Sequence, residues 1–140
     1  MPLVVWSYPR GAAIEEKGGR DSLYAVDYAA RVALEMGADI VKLNIPKHGP
    51  KDSDQPAEYA EIDYDYGEGA RRVVESAGRC LVLFSGGSKL GDDDLLSKVR
   101  TGLEAGATGL IFGRNMWQRP FDAALGIVGR VHELMKGFGA

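Results

Sequence analysis

The sequence predicts an α/β fold in which four parallel strands alternate with helices that cover them. Three observations carry this expectation. Short apolar runs rich in β-branched and aromatic residues begin near residues 3, 38, 80 and 108, and a stretch with helical apolar spacing follows each of them. The runs alternate only weakly, as strands of a helix-covered parallel sheet do. Many of the 19 glycines fall between these segments, where they punctuate the chain without forming a repeat.

The first strand is LVVWSY, Leu3 to Tyr8, ended by Pro9, which biases the residue before it toward extended geometry. From Ser22 to Met36, Leu23, Val26, Ala30, Ala33 and Leu34 form one helical stripe, with Asp21 or Ser22 as N-cap and Gly37 closing the C-terminus. Ala38 to Asn44 is the second strand. A polar excursion at about 45–65 follows, containing several prolines, and it reads either as a surface loop or as a connection carrying a short helix near Ala57 to Ala60. A helix over Gly67 to Ala77 leads into the third strand, Cys80 to Phe84. Asp92, Asp93 and Asp94 then open a helix in the acidic first turn that its dipole favours. Thr108 to Phe112 is the fourth strand, and Pro120 starts the last helix, about Phe121 to Met135.

A length of 140 residues suits one domain, 1–140, and falls short of the roughly 200 residues that a complete (β/α)8 barrel usually needs. Two architectures fit the order: a small open sheet, or four consecutive units of a barrel. Both bind ligands beyond the carboxyl ends of their strands. With 17 Lys and Arg against 20 Asp and Glu, the net charge is -3, so neither nucleic acid nor an anionic membrane is an expected partner. Cys80 is the single cysteine, and no Cys and His cluster has structural-zinc spacing. The N-terminus lacks a signal-peptide pattern, and no apolar run is long enough to span a bilayer. The expectation is a soluble, cytoplasmic protein without a structural zinc site.

The unusual residues lie at strand ends: WSYPRG at 6–11, VKLN at 41–44, FSGGSK at 84–89 and FGRN at 112–115. Strand alternation sets Trp6 and Tyr8 on one side and Ser7 on the other, and it groups Ile40, Lys42 and Asn44. Lys42 stands out, because a lysine within an apolar strand is costly to bury unless paired or neutral, and the neutral amine is the form that attacks a carbonyl. It also reads as a strand-end lysine that snorkels to water or pairs with an acid. Tyr8 is a candidate proton carrier if it shares a cavity with Lys42, and with Trp6 it reads equally as a core aromatic. Ser85, Gly86 and Gly87 can bring backbone N–H groups to an anion, or can simply form a tight turn. Gly113 allows a similar close approach, and the Arg114 guanidinium matches phosphate geometry. Nucleotide binding has little support, since neither a Walker sequence nor a GxGxxG fingerprint is present.

VVWSYPRG, ADIVKLNIP, VLFSGGSK and GLIFGRNMWQRP, in this order, closely resemble the second half of the DeoC/FbaB-type class I fructose-bisphosphate aldolases of archaea and bacteria. The resemblance extends over practically the whole chain. It implies strands five to eight of a (β/α)8 barrel, with Lys42 as the Schiff-base lysine, Tyr8 as the proton-shuttling tyrosine and Trp6 lining the substrate channel. Ser85, Gly86, Gly87, Gly113 and Arg114 correspond to the family's phosphate grip, to which Lys89 is a weaker addition. Nothing corresponds to the family's first four strands or to the aspartate near the end of its first strand.

The implied activity is cleavage of fructose 1,6-bisphosphate into dihydroxyacetone phosphate and glyceraldehyde 3-phosphate, with the lysine iminium as electron sink and no cofactor. The alternatives are a non-catalytic half-barrel that binds sugar phosphates, and a related lysine-dependent aminoheptulosonate synthase. An open sheet also leaves unpaired edges and a bare face, for which Val4, Trp6, Ile40, Phe84 and Phe112 are the candidate interior residues. A homo-oligomer is the expected remedy. Two copies could join first edge to last as an eight-stranded barrel, another oligomer could cover the face, or the excursion could fold over it in a compact monomer.

Overall fold

The computed structural model describes residues 1–139. The elements run β1 (Val4–Trp6), α1 (Ala12–Glu15), α2 (Leu23–Glu35), β2 (Ile40–Leu43), α3 (Ala57–Ala60), α4 (Tyr66–Ser76), β3 (Leu81–Ser85), α5 (Asp92–Glu104), β4 (Gly109–Ile111), α6 (Arg114–Trp117) and α7 (Phe121–Lys136). The four strands form one parallel sheet in the order β1-β2-β3-β4. A doubly wound sheet reverses its strand order, whereas this one advances without reversal, as consecutive units of a barrel do. The structure is therefore an α/β fold consistent with a partial (β/α)8 barrel.

The register sorts the side chains. Val5 pairs with Val41 and Val41 with Val82, while Leu43 pairs with Phe84 and Phe84 with Leu110. These residues face the helices, where Val41, Leu43, Val82 and Phe84 are buried against Val26, Ala30 and Ala33 of α2 and Ala70 and Val73 of α4. A second cluster joins Val99 and Leu103 of α5 to Val131 of α7, with Phe112 packed on it. Two expectations are corrected here: Phe84 and Phe112 lie on the helix side, not the interior side. The opposite face carries Val4, Trp6, Ile40, Lys42, Leu81 and Leu83, and it is bare; Trp6 is 66%, Leu81 49% and Val4 43% exposed. No described helix is long and apolar enough to cross a membrane.

The excursion does not cover the bare face. It carries α3, closes on itself through a Gly49–Tyr64 bridge, and packs on the start of α2. The first amides of a helix lack intrahelical partners, and here three of them are satisfied from side chains. Leu23 N–H donates to the Tyr64 hydroxyl (3.1 Å), Tyr24 N–H to Gln55 Oε1 (2.9 Å) and Ala25 N–H to Ser22 Oγ (3.2 Å). Ser22 is thus the N-cap. Gly49 must be glycine, since a Cβ there would fall 2.2 Å from the buried Tyr64 ring.

Candidate active site

The cavity lies beyond the carboxyl ends of all four strands. Trp6 pairs in register with Lys42, and the Lys42 amine sits 4.3 Å from the Trp6 ring centroid and 5.5 Å from that of Tyr8. Both π faces attract the ammonium form. The Arg10 guanidinium is 5.5 Å from the Tyr8 ring centroid. Ser7 points the other way, its hydroxyl donating to the Ala29 carbonyl of α2 (2.8 Å), which holds this end of the first strand in place.

A polar chain crosses the floor. The Ser85 hydroxyl donates to Asn44 Oδ1 (2.5 Å), Asn44 Nδ2 donates to Asp21 Oδ1 (2.8 Å), and the Lys47 amine lies 3.3 Å from the other Asp21 oxygen. The ends of β2 and β3 are thereby tied to the turn before α2.

The glycine loop after β3 is held just as firmly. Gly86 N–H donates to the Ile111 carbonyl (3.2 Å), and a Cβ on Gly86 would come within 2.6 Å of Phe112 and 2.8 Å of Asn115 Nδ2. Gly87 takes φ +70°, which L side chains rarely adopt. Fully buried Asn115 joins this loop to the one after β4, accepting from Leu90 N–H (2.8 Å) and donating to the carbonyls of Gly86 (3.2 Å) and Ser88 (3.0 Å). Arg119 braces the arrangement from behind, donating to the Asn115 carbonyl (2.7 Å) and the Leu90 carbonyl (3.2 Å) and pairing with Asp92. The Trp117 ring rests on Gly113, where a Cβ would be 2.5 Å from it.

The resulting cavity, about 740 Å³, is lined by the side chains of Arg10, Arg20, Lys42, Lys47 and Arg114, with Asp21 as the one carboxylate. Five cations against one anion suit a multiply negative ligand. Of the residues expected from sequence, Tyr8, Lys42, Ser85, Gly86, Gly87, Gly113 and Arg114 all border this cavity. Trp6 reaches it only through Lys42. Lys89 turns away, its amine donating to the Gln118 carbonyl (3.1 Å), so its expected place in the phosphate grip is corrected. Sequence reading missed Asp21 and Asn115 and noted Asn44 only as sharing a face with Lys42. That shared face was the usable signal. No group of three His, Cys, Asp or Glu side chains placed to hold a metal occurs among the described residues.

Comparison with known proteins identifies the family of the chain. The description DeoC/LacD family aldolase matches residues 1–119. The chain belongs to this family. This DeoC/LacD-family chain is 40% identical over 124 residues to the fructose-bisphosphate aldolase class 1 of Halobacterium salinarum, which covers 89% of the chain and 39% of that relative. A crystal structure of an archaeal fructose 1,6-bisphosphate aldolase superposes with a TM-score of 0.74 at 37% identity, covering 100% of the chain and 46% of that structure. Another archaeal fructose-1,6-bisphosphate aldolase, whose catalytic lysine is covalently bound to the carbinolamine intermediate of the substrate, superposes at 0.73 with 36% identity, covering 96% of the chain and 45% of that structure. The chain therefore spans two fifths to a half of the length of these relatives, and it matches part of their full fold.

Proposed function

We propose that this chain carries the lysine side of a Schiff-base fructose 1,6-bisphosphate aldolase site. The observation that supports this reading is the Lys42 amine on the cavity face of the sheet, held against the Trp6 and Tyr8 rings. In this mechanism the neutral Lys42 amine adds to the substrate C2 carbonyl, and the carbinolamine takes up a proton from solvent and loses its hydroxyl as water, giving an iminium. Tyr8 relays the proton of the C4 hydroxyl, passing its own on to solvent as it accepts that one. The C3–C4 electron pair flows to the iminium, and glyceraldehyde 3-phosphate departs as an aldehyde. The enamine that remains takes a proton at C3, and hydrolysis frees dihydroxyacetone phosphate and the amine. One phosphate would rest on the Ser85–Gly87 and Gly113 backbone beside Arg114, which fixes the register of the sugar over Lys42. Covering the bare face, by a second copy joining β4 to β1 or by strands from elsewhere, completes the site in this proposal.

Borohydride reduction in the presence of dihydroxyacetone phosphate tests the reading. The expected adduct is on Lys42 and absent from Lys42→Arg, since a guanidinium stays protonated and cannot be the nucleophile. Folded protein that gives no adduct would end the Schiff-base reading. A second reading, sugar-phosphate binding without turnover, is favoured by the cation-lined cavity, which suits a multiply negative ligand whether or not Lys42 reacts. Titration with dihydroxyacetone phosphate beside an aldolase assay separates the two: saturable binding with turnover no greater than in Lys42→Ala selects it.

A further inference from the structure

The glycine loop and Arg114 leave one nearby cation without a role. Lys98 lies on α5, half-buried at the seam with α4 beside Tyr66, Asp94 and Thr101. Its amine ends at the loop: a Cβ built on Gly87 would be 3.4 Å from Lys98 Nζ. Because Gly87 has neither a side chain nor a φ that would accept one, nothing of its own separates the amine from the turn. The charged groups facing Lys98 are Asp21, whose field supports its positive charge, and Asp94, one turn back on the same helix. Among the described residues, neither pairs with it and no acceptor takes its protons. Burial pushes its pKa down, the direction expected for an ammonium that has lost water without gaining a partner.

We propose that Lys98 is the half-buried charge of the phosphate site, placed beneath the Gly87 turn so that the loop selects a phosphate monoester over an uncharged hydroxyl. This rests on reading the Ser85–Gly87 loop as the phosphate site. Backbone amides offer only partial charges, and exposed Arg114 is screened by solvent and salt. A full charge at short range in a partly desolvated place acts more strongly on an anion. The same desolvation makes the ammonium unfavourable while the site is empty. Affinity and stability are thus set against each other at one side chain.

The test uses Lys98→Met and Lys98→Gln in the full chain. Calorimetric titration with inorganic phosphate should show binding weakened by about tenfold in both, the loss expected for a charge-assisted partner. Thermal unfolding without phosphate should show a melting temperature held or raised, because an unpaired, partly buried charge is gone. In borohydride trapping, the preference for dihydroxyacetone phosphate over dihydroxyacetone should fall by about the same factor. Wild-type phosphate affinity in both variants would overturn the proposal. So would a lowered melting temperature with an unchanged preference between the two ketones, which marks a purely structural lysine, or a wild-type protein that binds no phosphate. If the wild type binds phosphate yet traps neither ketone, the Schiff-base reading fails and the phosphate titration alone decides the role of Lys98.

Discussion

Replacing Asn115 by alanine tests whether one buried amide holds the two glycine loops together. Asn115 is fully buried and makes three hydrogen bonds, to Leu90 N–H, the Gly86 carbonyl and the Ser88 carbonyl. Truncation strips partners from all three backbone groups. At about 1 kcal/mol net for each bond, the expected loss is about 3 kcal/mol. Ser88 is exposed, so water can take over its carbonyl, which places the loss between about 2 and 4 kcal/mol. Urea unfolding should show a lower midpoint with an unchanged slope, since no extra surface is exposed on unfolding. Hydrogen exchange should accelerate at the Leu90 amide. Asn115→Asp keeps an acceptor for Leu90 but turns carboxylate oxygen toward two carbonyls, and it should destabilise at least as much. A loss under about 1 kcal/mol, with Leu90 protection intact, would refute the claim and assign the bracing to Arg119.

Three further outcomes are expected. In Tyr8→Phe, Lys42 should still be trapped by borohydride while turnover falls by about 100-fold to 10,000-fold, the usual range for a positioned acid-base group; equal loss of both would indicate a collapsed pocket instead. Phe84→Ala should cost about 3–5 kcal/mol in denaturant unfolding because it opens a cavity beneath the helices, whereas Leu81→Ala on the bare face should cost far less; similar costs would contradict the assignment of faces. The stability of the wild type relative to Lys98→Met should rise as pH climbs through the lowered folded pKa toward about 10.4, because in that window the unfolded chain binds more protons; a falling difference would mean that the amine gains a partner on folding.

The sequence was most legible where periodicity and punctuation agreed. The stripe from Leu23 to Ala33, the Ser22 cap and Gly37 delimit α2 nearly to the residue, and three aspartates mark the start of α5. It was least legible where a run is apolar throughout. CLVLF offers no polar residue to fix which side faces the helices, and only the register with Val41 and Leu43 assigns Phe84. The one-turn helices α1 and α6 are too short to show a period. At the site, strand parity grouped Trp6 with Tyr8 and Lys42 with Asn44, while the register of β1 against β2 is what sets Trp6 beside Lys42. The direction of Lys89 and the three bonds of Asn115 depend on how loops from distant parts of the chain meet, which no local pattern encodes. Tyr64 was hidden for the same reason: an apolar ring inside a polar excursion reads as surface until the bare start of α2 is seen to need its hydroxyl.

Burial along β2 alternates, with Val41 and Leu43 under the helices and Lys42 on the cavity side. A slip of one residue against β1 or β3 would exchange these faces. It would drive an ammonium in among the alanines of α2 and leave two aliphatic side chains in water, so the misregistered strand is penalised on both faces at once. The Lys42 amine is therefore positioned by its neighbours' aversion to water, before any ligand is present to reward correct placement. In this strand the pattern that drives folding also proofreads the placement of Lys42, and a chain that pairs its sheet incorrectly is rejected as unstable before it can persist in a misassembled fold.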